Sequence, residues 1–362
     1  MTTPHKLCMV PGPVEFHEDV LTSMSTPANS HVSPSFIPIF GESIELLRKL
    51  FFTNKGQPFI VSGSGTLGWD MVASNLVEPG EDVLVLNTGY FGDSFYECLK
   101  VYGANVTQAK AEIGDQLSLK TIADILISKK FKAITITHVD TSTGVLVDVK
   151  AIAELVKQKS PDTLIIVDGV CSAGAEEIRV DEWGLDVVLT ASQKALGVPP
   201  GLSIVIASER AIEVFKQRKS PITSYYASWA HWLPIMNAYE SRKGAYFATP
   251  PVQLIYALNT SLKQITSISL ETRFQQHKEA SNHVKDAIEA MGLKFVGIQA
   301  LDLLPKVAGR DILIAGGLHK SIASKYFRIG HMGISVTEPN RRHIDKTIES
   351  LEISLKELGY KK

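Results

Sequence analysis

Lys194 stands just behind the apolar run Val187-Val188-Leu189-Thr190. Lysine is seldom buried without a task, and a desolvated ammonium is readily neutralised to a nucleophilic amine. A second group, Asp168, closes the apolar run Thr163-Leu164-Ile165-Ile166-Val167. A third, Ser62-Gly63-Ser64-Gly65-Thr66, follows the run Pro58-Phe59-Ile60-Val61 and precedes a helical stretch. Such a loop turns several backbone N–H groups and hydroxyls towards one anion at a helix N-terminus.

The elements that must position these groups alternate. Short β-branched runs (58–61, 83–86, 133–137, 163–167, 187–190) are separated by helical patterns at 66–77, 93–102, 118–129 and 149–158. Continuous apolar strands between helices signify a buried, mostly parallel sheet. In such a sheet ligands collect at the carboxyl ends of the strands, so Lys194, Asp168 and the loop share one face. A Schiff-base lysine, an acid for a pyridinium nitrogen and a phosphate cradle are together what pyridoxal 5′-phosphate (PLP) requires.

After about residue 252 the pattern changes. Two long helical stretches fill 252–291 and a last one runs from 341 to 358, with short strand candidates at Lys294–Ile298, Asp311–Ala315 and Tyr326–Ile329. The expected organisation is a large α/β domain over 1–255 with an N-terminal arm, and a small α+β domain over 256–362.

The chain has 362 residues, 44% hydrophobic and 21% charged; 37 Lys and Arg against 38 Asp and Glu leave a net charge of −1. Without a basic excess, no nucleic-acid partner is expected. No apolar run approaches the ~20 residues that cross a bilayer, so no membrane partner is expected either. Cys8, Cys98 and Cys171 are an odd, scattered set, which argues against a disulfide framework or zinc site. His319 and His331 lack ligand spacing with any acid, so no metal is expected. With no targeting signal read, the expected setting is cytoplasmic.

One competing reading uses the same loop. Gly63-Ser64-Gly65-Thr66-Leu67-Gly68 fits the GxGxxG fingerprint of a nicotinamide oxidoreductase. That fingerprint also wants an acid at the end of the next strand, where this chain has Asn87. A desulfurase-like lyase would need a mobile cysteine, and Cys171 follows the Asp168 strand too closely.

At Val167-Asp168-Gly169-Val170, Ala191-Ser192-Gln193-Lys194-Ala195-Leu196 and Lys243-Gly244-Ala245-Tyr246-Phe247-Ala248-Thr249-Pro250 the sequence resembles the class V branch of fold-type I PLP aminotransferases. It is most similar to the alanine–glyoxylate aminotransferases of fungal type, and the likeness runs from Val10 to Gly330. The resemblance implies a seven-stranded-type, mostly parallel sheet, and amino transfer from L-alanine to glyoxylate; serine–glyoxylate and serine–pyruvate transfer are the alternatives. It implies that Lys194 carries PLP, that Asp168 pairs with the ring nitrogen, and that Val170 and Phe91 lie on the ring's two faces. Family members often have Trp at the latter position, so Phe91 is a departure. Ser64, Gly65, Thr66 and Gln193 would hold the phosphate, and Thr141 would lie by the ring hydroxyl. Tyr246 and Thr249 would reach the phosphate of the other subunit of a homodimer. Arg328 would clamp the substrate carboxylate, with Gly12 lining the same pocket.

Each residue also has a plainer reading. Phe91 and Val170 suit a core, Tyr246 and Thr249 suit a helix start before Pro250-Pro251, and Arg328 suits a solvated surface. The family usually has a further strand and helix before the segment matching Asp311–Ala315. Here only Gln299–Arg310 intervenes, so a shortened small-domain sheet is expected.

Overall fold

The computed structural model describes residues 5–293 and 300–360. Its centre is a seven-stranded sheet of β1 (Gln57–Ser62), β2 (Asp82–Asn87), β3 (Asn105–Lys110), β4 (Ala133–Thr137), β5 (Leu164–Asp168), β6 (Val187–Ala191) and β7 (Leu202–Ala207), in the order β1-β7-β6-β5-β4-β2-β3. Neighbours are parallel except where β7 meets β1 and β6. The fold is thus the expected mixed α/β type with a mostly parallel sheet. All residues of β4, β5, β6 and β7 are buried, at about 1.5–3 kcal/mol for each fully covered Val, Leu or Ile. That burial is why these strands read as unbroken apolar runs rather than as alternations.

Three of the helices between the strands start on a short polar cap. Ser118, Asp148 and Ser208 accept the backbone N–H groups of Thr121, Ala151 and Ala211 at 2.9–3.1 Å, satisfying otherwise orphaned donors. By contrast, no side chain caps the helix Thr66–Leu76. Its Leu67 and Gly68 amides bond back to the Ser64 and Gly65 carbonyls at 3.0 and 2.9 Å.

A second, smaller core joins Met9, Val284, Ile288, Leu303, Val307, Ile312, Leu351 and Leu355. Of the expected strands there, Lys294–Ile298 lies outside the described residues. Ile312–Leu313 pairs in parallel with Leu7–Cys8, and Ala315–Gly316 pairs antiparallel with Phe327–Arg328. The joining stretch is no bare connection: a helix, Ala300–Ala308, packs Leu303 and Val307 into this core.

The N-terminal arm ties the two cores together. Met9 N–H bonds the Leu313 carbonyl, Val14 N–H bonds the Gln193 carbonyl, and Gly330 N–H bonds the Met9 carbonyl, at 2.7–3.1 Å. No helix among the described residues is long and apolar enough to cross a membrane.

Candidate active site

Lys194 sits in the turn behind β6 and is buried. The turn is held from inside: Ser192 Oγ donates to the Pro199 carbonyl at 2.8 Å and accepts the Leu202 N–H at 3.2 Å. Lys194 Nζ donates to the carbonyl of Pro11, on the N-terminal arm. The next residue of the arm, Gly12, has φ +95° and lies directly against the lysine; a Cβ there would meet Lys194 Cδ at 2.3 Å and Nζ at 2.7 Å. Only glycine meets both the left-handed backbone and the close approach.

Asp168 ends β5, fully enclosed. Val170 N–H donates to its Oδ1 at 3.0 Å and Trp69 Nε1 to its Oδ2 at 2.8 Å. Burial pushes its carboxyl up to about 6, against the pull of these two donors and of the Lys194 charge. The site therefore favours a cation near this carboxylate. Trp69 comes from the helix Thr66–Leu76 and stacks on Phe95 at 5.5 Å.

The loop and the strand ends converge. Gly65 starts the helix Thr66–Leu76 against Val170: a Cβ would lie 2.9 Å from Val170 Cγ2. Ser64 and Thr66 are exposed at that helix start. Gln193 Oε1 is buried without a hydrogen-bond partner among the described residues, and so is Thr141 Oγ1. Phe91 is half-buried, at the start of the helix Tyr90–Val101, and its N–H bonds Asp140 Oδ2 at 3.1 Å. Asp140 also takes the N–H and the hydroxyl of Ser142 on Oδ1, at 2.9 and 2.6 Å. One carboxylate thus fixes the Phe91 and Thr141 loops together.

Arg328 is half-buried, not a solvated surface charge. Its Nε donates to the Gly316 carbonyl at 2.8 Å and its Nη1 to the Thr141 carbonyl at 3.2 Å. Among the described residues no carboxylate lies within ion-pair distance of it. Arg328, Thr141 and Pro11 line one cavity of about 320 Å³. An arginine with no acid, its tethers spent on carbonyls, is suited to an anion from outside.

Two expected residues are not gathered here within one chain. Tyr246 and Thr249 are exposed. Tyr246 packs on His31 at 5.2 Å, and beside it Phe247 joins Tyr225, Tyr226, His231 and Trp232 in an aromatic ledge.

Three further groups bear on the site, and the residue pattern assigned none of them a role in it. Trp69, three residues past Thr66, is found by its bond to Asp168. Cys171, buried, lies where the charges of both Lys194 and Asp168 act on it, and burial pushes its thiol up. Arg273, on the helix Leu270–Ala290, donates to the Gly174 carbonyl at 2.6 Å and the Ala195 carbonyl at 2.9 Å, clamping the loops behind Asp168 and Lys194. A long-range contact of this kind leaves no local signal.

The family model described as "Aminotransferase class-V" matches residues 3–302. The chain belongs to the class-V aminotransferases. Alanine–glyoxylate aminotransferase 1 of Saccharomyces cerevisiae is 40% identical, over 98% of this chain and 99% of its own. Serine–glyoxylate aminotransferase of Arabidopsis thaliana is 32% identical, over 97% and 90%. Among solved structures, ureidoglycine–glyoxylate aminotransferase of Bacillus subtilis superposes with TM-score 0.89 at 32% identity, covering 99% of this chain and 95% of that one. An alanine–glyoxylate aminotransferase from Nostoc sp. gives 0.90 at 28%, covering 98% and 96%.

This class-V aminotransferase is PLP-dependent, and its residues fit the cofactor. The buried amine and the buried carboxylate lie at neighbouring strand ends. At the same ends of the sheet lie a helix start without a side-chain cap and, among the described residues, two buried oxygens without partners, on Gln193 and Thr141.

Proposed function

We propose that the enzyme moves the amino group of L-alanine to glyoxylate, giving pyruvate and glycine. The observation that carries the reading is Arg328: a half-buried guanidinium with no acid in ion-pair reach among the described residues, tethered to the Thr141 carbonyl, in a cavity that also meets Pro11, the residue holding Lys194. Amino acids and 2-oxo acids share a carboxylate beside the reacting carbon, and one arginine serves both in turn. Alanine is favoured over serine by the likeness to the yeast enzyme at 40% identity; the plant serine–glyoxylate enzyme at 32% supplies the alternative donor.

In this reading PLP, held by Lys194, Asp168, Ser64, Gly65, Thr66 and Gln193 between Val170 and Phe91, supplies an aldehyde for the amino group and a ring that takes up electrons left at Cα. Lys194 Nζ would take the proton from the substrate Cα as general base and then, as the conjugate acid, deliver it to the cofactor carbon that keeps the amino group. Asp168 keeps the ring nitrogen protonated by a close opposite charge. Its two N–H donors orient the carboxylate. Arg328 grips the substrate carboxylate through its free N–H groups, a fork lysine lacks. Gly12 leaves space for Lys194 to swing.

We further propose a homodimer in which Tyr246 and Thr249 complete the partner's phosphate site. Their exposure and the neighbouring aromatic ledge suit a face that another subunit covers.

A substrate panel on the purified, PLP-loaded protein tests the reaction. The alanine–glyoxylate pair should give the highest kcat/KM; a tenfold preference for serine would move the assignment to serine–glyoxylate transfer. Lys194→Ala should abolish turnover and covalent PLP retention after borohydride. Activity in that variant would remove Lys194 from its role.

A further inference from the structure

Tyr326 places one phenol oxygen between two distant stretches of chain. Its hydroxyl accepts the N–H of Leu318 at 2.8 Å and of His319 at 2.9 Å, and donates its proton to the Ser142 carbonyl. A phenol has one proton and two acceptor sites, so all are used. The ring is buried at 7% exposure, and Gly317 makes way for it: a Cβ there would lie 2.5 Å from Tyr326 Cε1.

Both stretches joined by this oxygen also hold Arg328. The Gly316 carbonyl that accepts Arg328 Nε immediately precedes the Gly317–His319 turn. The Thr141 carbonyl that accepts Nη1 immediately precedes Ser142. The Ser142 end is rigid, because Asp140 holds that residue by its N–H and its hydroxyl and also holds the Phe91 N–H. The hydroxyl therefore fixes the spacing of the two carbonyls that aim the guanidinium. A bidentate grip on a carboxylate depends on that aim.

We propose that Tyr326 is a positioning residue for Arg328: its hydroxyl staples the Gly317–His319 turn to the Thr141–Ser142 loop and so presets the carboxylate fork. The proposal rests on the reading of Arg328 as the carboxylate site. It sets binding of both substrates, because the amino acid and the oxo acid meet the same fork, and it leaves the proton transfer at Lys194 untouched.

Tyr326→Phe, in the full PLP-loaded enzyme, keeps the ring and removes all three bonds. KM for donor and acceptor should each rise about tenfold, while kcat at saturation stays within about twofold. Hydrogen exchange over 316–321 should accelerate in the variant with and without cofactor. Arg328→Lys is run beside it. If Arg328→Lys raises KM and Tyr326→Phe leaves it unchanged, the staple is wrong and the carboxylate assignment stands. If neither changes KM, the Arg328 assignment itself falls. A drop in kcat with constant KM, or unchanged exchange over 316–321, also overturns the staple.

Discussion

Replacing Trp69 by Phe isolates one hydrogen bond on the acid proposed to face the ring nitrogen. The indole N–H lies 2.8 Å from Asp168 Oδ2, and a Phe ring can keep the stack on Phe95. The bond favours the charged carboxylate, so losing it must raise the Asp168 pKa above its present value of about 6. A hydrogen bond to a charged group carries ~1.5–3 kcal/mol, which at about 1.36 kcal/mol per unit is a rise of about one to two units. A protonated ring nitrogen needs the carboxylate, so PLP affinity is full above the Asp168 pKa and falls about tenfold per unit below it. The assay is a titration of apoprotein with PLP from pH 5 to 9, followed by visible absorbance. Taking the ratio of variant to wild type cancels the cofactor's own ionisations. The ratio should be near one at pH 9 and fall towards neutrality. A ratio that is flat with pH refutes the tuning of Asp168 by Trp69.

Gly12→Ala forces a methyl onto Lys194 at a backbone angle that alanine rarely adopts; kcat should drop by roughly 10²-fold, the cost of about 1 Å misplacement, with the fold intact by circular dichroism. Arg273→Met removes both carbonyl clamps, at Gly174 and Ala195, and should cost about 2–4 kcal/mol of stability, read from the urea midpoint. The apoprotein should also respond to pH through Asp168. Its folded pKa is raised from 3.8 to about 6, so the protonated folded form is the favoured one. The contribution, about 3 kcal/mol, is present below 3.8 and lost as pH rises through about 6. PLP should therefore stabilise the protein more at pH 7 than at pH 4, by thermal denaturation.

The central sheet was legible because burial writes itself into sequence: β2, β4, β5 and β6 were read to within about a residue at each end. What escaped had other causes. β7 follows β6 with no helix between, breaking the alternation on which the reading relied. β3 is an edge strand, only partly covered, and its Asn105-Val106-Thr107-Gln108 lacks an apolar run. The helix Ile37–Leu50 begins among prolines, but Pro38 sits in its first turn, where no N–H is needed. In the site, Lys194 and Asp168 announced themselves through strand ends. Trp69, Tyr326 and Arg273 act across the fold, and the residues around them give no hint of the partner.

The N-terminal arm sets an order on assembly. Lys6 bonds the Ala308 carbonyl, 302 positions away, and Leu7 finds its strand partner in Ile312. A growing chain therefore completes the seat for residues 6–8 only once residues 308–313 are made, after the central sheet can collapse. Until then the Val14 bond to the Gln193 carbonyl is the arm's tie to the turn that carries Lys194, and the seat for the residues before Pro11 is unfinished. The arm at residues 6–14 is thus the keystone, set once the arch is already standing.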